Sequence, residues 1–356
     1  MDYSSRLYEL KQYMDNLPCE ALLIEHPLHL LYLTGLELSA GQLIVSKDSA
    51  CLIVDGRYFE RCSSQQLYSV VLQVESVLSS WLEDHNIQSL GFEGAETTYQ
   101  RYQELRKLSG STKQNAEMVP IDSPVRQMRL IKDTEEIIFL KQAARLGYEG
   151  YEYVVSLFEV GVTEEELAFE LEFFWKKRGA KKLAFDPIIA FDANSSMPHY
   201  RAGSTPLRLN TSVLIDIGVV LEHYHSDMSR VVYYGQPPYE IQTIYPIVEE
   251  AKELAMRLCR PGTLIGELDH AARSHITAKG YGKNFTHSLG HGVGLDIHEY
   301  PTLRSAGTFS QTPLQAGMVI TIEPGIYLPG IGGVRLEDTL LITEAGYENL
   351  TIPNKT

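Results

Sequence analysis

Two stretches whose composition calls for full burial each carry a charge at their centre, and that conflict restricts the folds open to this chain more than any other feature. Thr211-Ser-Val-Leu-Ile-Asp216-Ile-Gly-Val-Val220 is apolar on both faces of a strand except at Asp216. Val319-Ile-Thr-Ile-Glu323-Pro324 repeats the device with Glu323. An ionised carboxylate buried among apolar side chains is costly unless a cation meets it. Each run also has a return strand with a carboxylate of its own. His225-Ser-Asp227-Met-Ser-Arg-Val-Val-Tyr-Tyr234 follows the first, and closure at Leu221-Glu222 sets Asp227 directly opposite Asp216. Val334-Arg-Leu-Glu337-Asp-Thr-Leu-Leu-Ile342 follows the second through Pro329-Gly330-Ile-Gly332-Gly333, and closure around Gly330 sets Glu337 opposite Glu323. Facing carboxylates repel, so one of each pair protonates unless a metal lies between them.

The segment Thr286-His-Ser-Leu-Gly-His-Gly-Val-Gly-Leu-Asp-Ile-His-Glu-Tyr-Pro301 adds imidazoles. Gly290 and Gly292 disfavour a helix around His291, and in an extended strand His287 and His291 look to the same face. Four carboxylates with His291 suit two divalent metals sharing bridging ligands. Hard oxygen donors with a single nitrogen favour manganese, then cobalt or iron, over a thiolate-type zinc site, with zinc still possible on this donor set. The competing reading puts the acids on solvent faces or in salt bridges, which suits one aspartate alone better than four acids in apolar strands. Two such metals activate water at neutral pH and polarise a carbonyl, which is hydrolytic chemistry. His199, His287 and His298 then serve as proton donors or substrate ligands. Arg335, two residues before Glu337 and on its strand face, binds a substrate carboxylate or orients a ligand. Ordinary structural duty is the competing reading for each of these four.

The net charge of −15 argues against a nucleic-acid or anionic-membrane partner. The first residues have no apolar core of a secretory leader, and no run is long enough to span a bilayer. Cys19, Cys51, Cys62 and Cys259 lie far apart without a C-x-x-C pair, which suits free thiols in a reducing cytoplasm.

Length allows two domains, and Pro120-Ile-Asp-Ser-Pro124 punctuates the chain between them. Residues 1–122 alternate short strands and helices, including a hairpin Gln42–Ser46/Ala50–Asp55 around Lys47-Asp48-Ser49, and hold no concentrated set of His, Asp and Glu. Residues 123–356 read as α+β, with long helices and antiparallel strands. Asp133 and Thr163 are helix caps, and a third helix is bounded by Pro246 and Arg260-Pro261-Gly262.

Carried by IDIG, SDMSR, HSLGHGVG, IEPGIY and VRLEDT, the chain resembles the pita-bread metallopeptidases, which include aminopeptidase P, prolidase and methionine aminopeptidase. The resemblance covers essentially the whole chain, with a creatinase-type domain at the N-terminus. It implies that Asp216, Asp227, His291, Glu323 and Glu337 ligate two divalent ions, that Glu323 handles the proton of the attacking water, and that His287 hydrogen-bonds the reaction intermediate. His199, His298 in His-Glu-Tyr-Pro301, Tyr327 and Arg335 match the proline-specific branch and are expected to bind substrate. One departure is Ala190-Phe-Asp192-Ala-Asn, which replaces a glycine-containing turn ahead of His199. The implied activity is that of an Xaa-Pro aminopeptidase acting on proline-containing peptides, with Xaa-Pro dipeptidase as the alternative and a non-catalytic binding protein as a more distant one. The family also implies a homodimer.

Overall fold

Lys47-Asp48-Ser49 closes an antiparallel hairpin, as its polar turn chemistry requires, and the N-terminal sheet grows outward from that pair. The computed structural model describes residues 1–352 and divides the chain into two units, Met1–Arg129 and a second from Leu130 onward. The division falls after a short helix that begins at Pro124.

In the first unit, α1 (Tyr3–Met14) leads to β1 (Ala21–Ile24), α2 (Pro27–Thr34), β2 (Gln42–Ser46) and β3 (Ala50–Val54). Then come α3 (Phe59–Cys62), β4 (Ser69–Leu72), α4 (Val77–Asp84), β5 (Ser89–Glu93), α5 (Tyr99–Gly110), β6 (Glu117–Ile121) and α6 (Pro124–Met128). The strands form one sheet in the order β4-β3-β2-β1-β5-β6. Strand β1 is Ala-Leu-Leu-Ile, buried on both faces, as expected of a central strand covered on each side. Leu78, Trp81, Leu82 and Leu105 pack from α4 and α5 onto it.

The second unit opens with α7 (Thr134–Ser156) and α8 (Glu164–Lys177). Both start with a capping box, Asp133 with Glu136 and Thr163 with Glu166, each satisfying two otherwise orphaned backbone donors. They cover a three-stranded sheet of β8 (Ile188–Phe191), β9 (Thr211–Ile217) and β12 (Met228–Tyr234), preceded in chain order by β7 (Lys182–Leu183) and interrupted by β10 (Val219–Leu221) and β11 (Tyr224–His225). Next are α9 (Tyr239–Met256) and α10 (Ile265–Ala278), packed on a five-stranded sheet. That sheet holds β13 (Gly290–Gly292), β14 (Glu299–Leu303), β15 (Val319–Ile322), β18 (Asp338–Thr343) and β19 (Gly346–Asn349), while β16 (Gly325–Leu328) pairs with β17 (Gly332–Arg335). Among the described residues no helix is long and apolar enough to cross a membrane. All four cysteines are free and buried.

Two sequence expectations change. Pro246 lies inside α9 instead of bounding it. The missing N–H removes one helical bond, and the buried face of Ile241, Ile244, Val248, Ala251 and Ala255 holds the helix together across it. The first hairpin turns one residue later than Leu221-Glu222. Leu221 pairs with buried Tyr224, and Glu222 and His223 form the turn with φ of 47° and 73°. Such a pair of positive φ values is the signature of a type I′ turn, whose twist matches the strands it joins.

Candidate metal centre

The later turn moves the strand partners by two. Asp216 pairs with Ser229, and Asp227, two residues along on the same face, becomes its diagonal neighbour rather than its direct partner. A two-residue shift preserves the face, so both carboxylates still enter one cavity. The second hairpin closes around Gly330 as expected. Ile322 pairs with Asp338 on one side and Gly325 with Arg335 on the other, so a single register sets Glu323 against Glu337. The histidine comes from β13, squeezed between two strands. A Cβ on Gly290 would collide with the Thr321 carbonyl oxygen, and one on Gly292 with that of Tyr300. The glycines that bracket His291 therefore admit neighbouring backbone, not a ligand.

Asp216, Asp227, His291, Glu323 and Glu337 all line a cavity of about 640 Å³, together with His199, His287, His298 and Arg335. Donor atoms of Asp227, His291 and Glu337 lie within 4.8 Å of one another. The His291 Nδ1 is 3.0 Å from the Gly292 carbonyl oxygen, an acceptor, so the ring proton sits on Nδ1. Nε2 then presents its lone pair 3.6 Å from Asp227 Oδ2 and 3.5 Å from Glu323 Oε1. Burial, then the neighbouring His298, pushes the His291 pKa down to about 4, so the ring is neutral. Burial, then the Asp216 charge, pushes Glu337 up to about 8. Asp227 and Glu323 are likewise raised, by burial first and by the Glu337 charge next. One oxygen of Asp216, Oδ1, is buried with no hydrogen-bond partner. Lone pairs and carboxylates thus converge where a cation is needed, and the donor set of four hard carboxylates and one imidazole fits divalent metal ions.

Arg335 is buried and reaches the cluster from behind. Its Nη2 pairs with Asp216 Oδ2, Nε donates to Ser229 Oγ at 3.1 Å, and Nη1 donates to the Tyr327 hydroxyl at 2.8 Å. Ser229 Oγ in turn donates to Glu337 at 2.8 Å. Tyr327 does not sit at the cavity wall. It is buried, and its hydroxyl lies 2.9 Å from His287 Nε2. His287 Nδ1 is 2.8 Å from the Ser288 carbonyl, so Nδ1 carries the proton and Nε2 accepts from Tyr327. Both nitrogens of His287 are engaged, and a hydrogen bond from it to a substrate requires one of these contacts to open. Burial, then the Arg335 charge, lowers its pKa to about 4. His199 and His298 are exposed at the mouth, the His298 ring 4.4 Å from that of His291. Sequence reading missed the other wall residues, among them Ile188, Tyr200, Arg201 and Arg304. Arg201 follows His199 by two and Arg304 follows Pro301 by three, proximity that was the available signal.

Residues 139–344 match Metallopeptidase family M24, and residues 6–131 match the Creatinase/Prolidase N-terminal domain. A protein of Pyrococcus furiosus named Xaa-Pro dipeptidase is 36% identical over 97% of this chain and 97% of its own length. A solved structure titled Xaa-Pro dipeptidase from Bacillus anthracis superposes with a TM-score of 0.93 at 35% identity, covering 100% of this chain and 99% of that one. The X-Pro aminopeptidase of Thermotoga maritima gives a TM-score of 0.85 at 32% identity, covering 97% and 99%.

Proposed function

The chain belongs to metallopeptidase family M24, in its pita-bread, proline-specific branch, and from that premise we propose that it is an Xaa-Pro dipeptidase. The observation that carries the hydrolytic reading is the convergence of buried, mutually repelling carboxylates with a neutral His291 Nε2 on one cavity. The sequence alone leaned to the aminopeptidase. Relatives named as dipeptidases, matching over both domains at 35–36% identity, support the other choice. The aminopeptidase stays the second reading because a structural neighbour at 32% identity carries that name.

Asp216, Asp227, His291, Glu323 and Glu337 would hold two divalent ions, manganese being the first to try. When bound, such ions supply a nucleophile from water at neutral pH and Lewis-acid polarisation of the scissile carbonyl. The remaining work falls to the protein. Arg335 fixes the orientation of Asp216, and Ser229 that of Glu337. Glu323, whose pKa burial and Glu337 raise, takes the proton of the attacking water and returns it to the leaving nitrogen. A bond to proline has no N–H, so recognition as an added strand is lost, and a wall must grip the pyrrolidine ring instead. His199 and His298 at the mouth are that wall, with Tyr327 acting from behind through His287 and Arg335.

The test pairs an Xaa-Pro dipeptide with an Xaa-Pro-Xaa tripeptide, offered to manganese-loaded protein with a chelated control. The dipeptidase reading expects metal-dependent cleavage of the dipeptide with the tripeptide nearly untouched. The reverse result establishes the aminopeptidase, and no metal-dependent release from either sinks both.

A further inference from the structure

Glu164 is the first residue of α8, where three successive acids, Glu164, Glu165 and Glu166, follow the Thr163 cap. An acid in a first helical turn ordinarily faces water and the positive end of the helix dipole. Glu164 instead faces inward and is 0% exposed. Its Oε1 accepts from Phe191 N at 2.7 Å and Asn194 Nδ2 at 2.9 Å. Its Oε2 accepts from the Tyr200 hydroxyl at 2.7 Å and from Gly203 N at 3.2 Å. Two of these donors precede His199 in the chain and two follow it. One carboxylate therefore closes the segment 191–203 from both sides. Regular structure does little there: β8 ends at Phe191, a 3₁₀ turn spans Asp192–Ser196, and β9 begins at Thr211. Asn194 also donates to Thr205 Oγ1 at 3.0 Å, and Ser195 Oγ accepts from Gly333 N at 2.8 Å, so the front of the segment is fastened to the second hairpin. The rear, with His199, Tyr200 and Arg201 lining the cavity, rests on Glu164.

We propose that Glu164 is a positioning residue of the substrate cavity, which holds the His199 segment against the metal centre without touching substrate itself. The inference rests on the reading of His199 as a substrate contact. A carboxylate is suited to the task because it offers acceptors to four donors and has no proton that would repel one of them. A glutamine keeps part of the frame. Its oxygen still serves Phe191 and Asn194, and its amide donates to the Tyr200 oxygen once that hydroxyl rotates, leaving Gly203 N without an acceptor.

Glu164→Ala, Glu164→Gln, His199→Ala and the double variant Glu164→Ala/His199→Ala decide it, each assayed for kcat, KM, metal content and hydrogen exchange. His199→Ala is expected to raise KM about tenfold, the equivalent of about 1.4 kcal/mol. Glu164→Ala is expected to raise KM by a similar factor with metal content unchanged and to speed exchange across 191–203 while the sheets stay protected. Glu164→Gln gives a smaller rise, and the double variant is no worse than His199→Ala, because residues acting as one unit are not additive. Full additivity in the double variant, or loss falling on kcat and metal content, overturns the proposal. So does exchange across 191–203 that stays at the wild-type rate in a folded Glu164 variant, a readout that needs no substrate and that Glu164→Gln still supplies if Glu164→Ala fails to fold. If His199→Ala leaves KM unchanged, it is the reading of His199 that fails, and the coupling claimed here falls with it.

Discussion

Asp227, Glu323 and Glu337 are acids whose surroundings oppose their charge. For Glu337, burial and the Asp216 carboxylate raise the pKa from an ordinary 4.5 to about 8. A carboxyl whose folded pKa is raised binds its proton more tightly in the native state, so its stabilising share is complete below the unfolded value and is lost as pH rises through the folded one. Chelated protein is therefore expected to lose melting temperature between pH 5 and 8.5, by roughly 5 °C or more at the few degrees per kcal/mol typical of a domain this size. Manganese should restore most of that loss, and restore more at pH 8 than at pH 5, since ions bind the ionised ligands. A melting temperature that is flat with pH, and indifferent to the ion, would refute the cation site. Glu323 was legible in the sequence because a lone carboxylate in an apolar strand stands out, and Asp227 and Glu337 because the return strands set them against such a residue. The contacts of Arg335 and Tyr327 were not. Strand alternation gives the face of Arg335, but its reach to Asp216 and the retreat of Tyr327 behind the wall depend on packing that no spacing encodes.

At the scale of elements, turn chemistry decided what could be foreseen. Pro329-Gly330-Ile-Gly332-Gly333 is rich in residues that favour turning, and its hairpin closes where the sequence puts it. Glu222 and His223 carry no such mark, and the register there slips by two while the carboxylates keep their common face. Pro246 misled in the opposite sense: a buried apolar stripe can outweigh one lost helical bond. The glycines around His291 show a third case. Their spacing disfavours a helix, and the structure adds a second reason for them, filling the room they leave with the Thr321 and Tyr300 carbonyls of adjoining strands. Gly292→Ala should force β13 and β14 apart, a kind of overpacking that costs about 1–3 kcal/mol. Because His291 immediately precedes Gly292 and His298 stacks edge-on against it, activity should fall about a hundredfold or more, as expected when an about 1 Å displacement reaches a catalytic constellation. Metal titration and thermal melting of the variant check this. Wild-type metal affinity with full activity would mean that the strands absorb the methyl group and that the glycine is not needed for close approach.

The whole molecule carries a net charge of −15, and four of its carboxylates are gathered in the cavity at the candidate metal centre. Even with these four carboxylates offset by bound divalent ions, the remaining negative charge of the protein repels the free carboxylate at the end of a dipeptide, so preference for a substrate that short is favoured by a cation at the rim. Arg201 and Arg304 are exposed residues of the cavity lining. Arg335 is already committed to Asp216, Tyr327 and Ser229. If Arg304 reads the substrate terminus, Arg304→Ala should raise KM for an Xaa-Pro dipeptide about thirtyfold, the equivalent of about 2 kcal/mol and within the 1.5–3 kcal/mol range of a charge-assisted hydrogen bond. The same variant should leave the corresponding dipeptide amide, which lacks that charge, nearly unchanged. Added salt should narrow the wild-type difference between acid and amide, because exposed charges are screened within about 10 Å at 0.1 M. Equal losses on acid and amide would instead make Arg304 a packing residue of the mouth, and would leave the length preference to whatever closes the far end of the cleft. Length preference was the least legible property of the sequence for that reason. The candidate ligands Asp216 and Glu323 are written into strands as single conspicuous residues, but a limit on substrate length set by exposed side chains at a rim has no such mark, because arginine is an ordinary thing to find there.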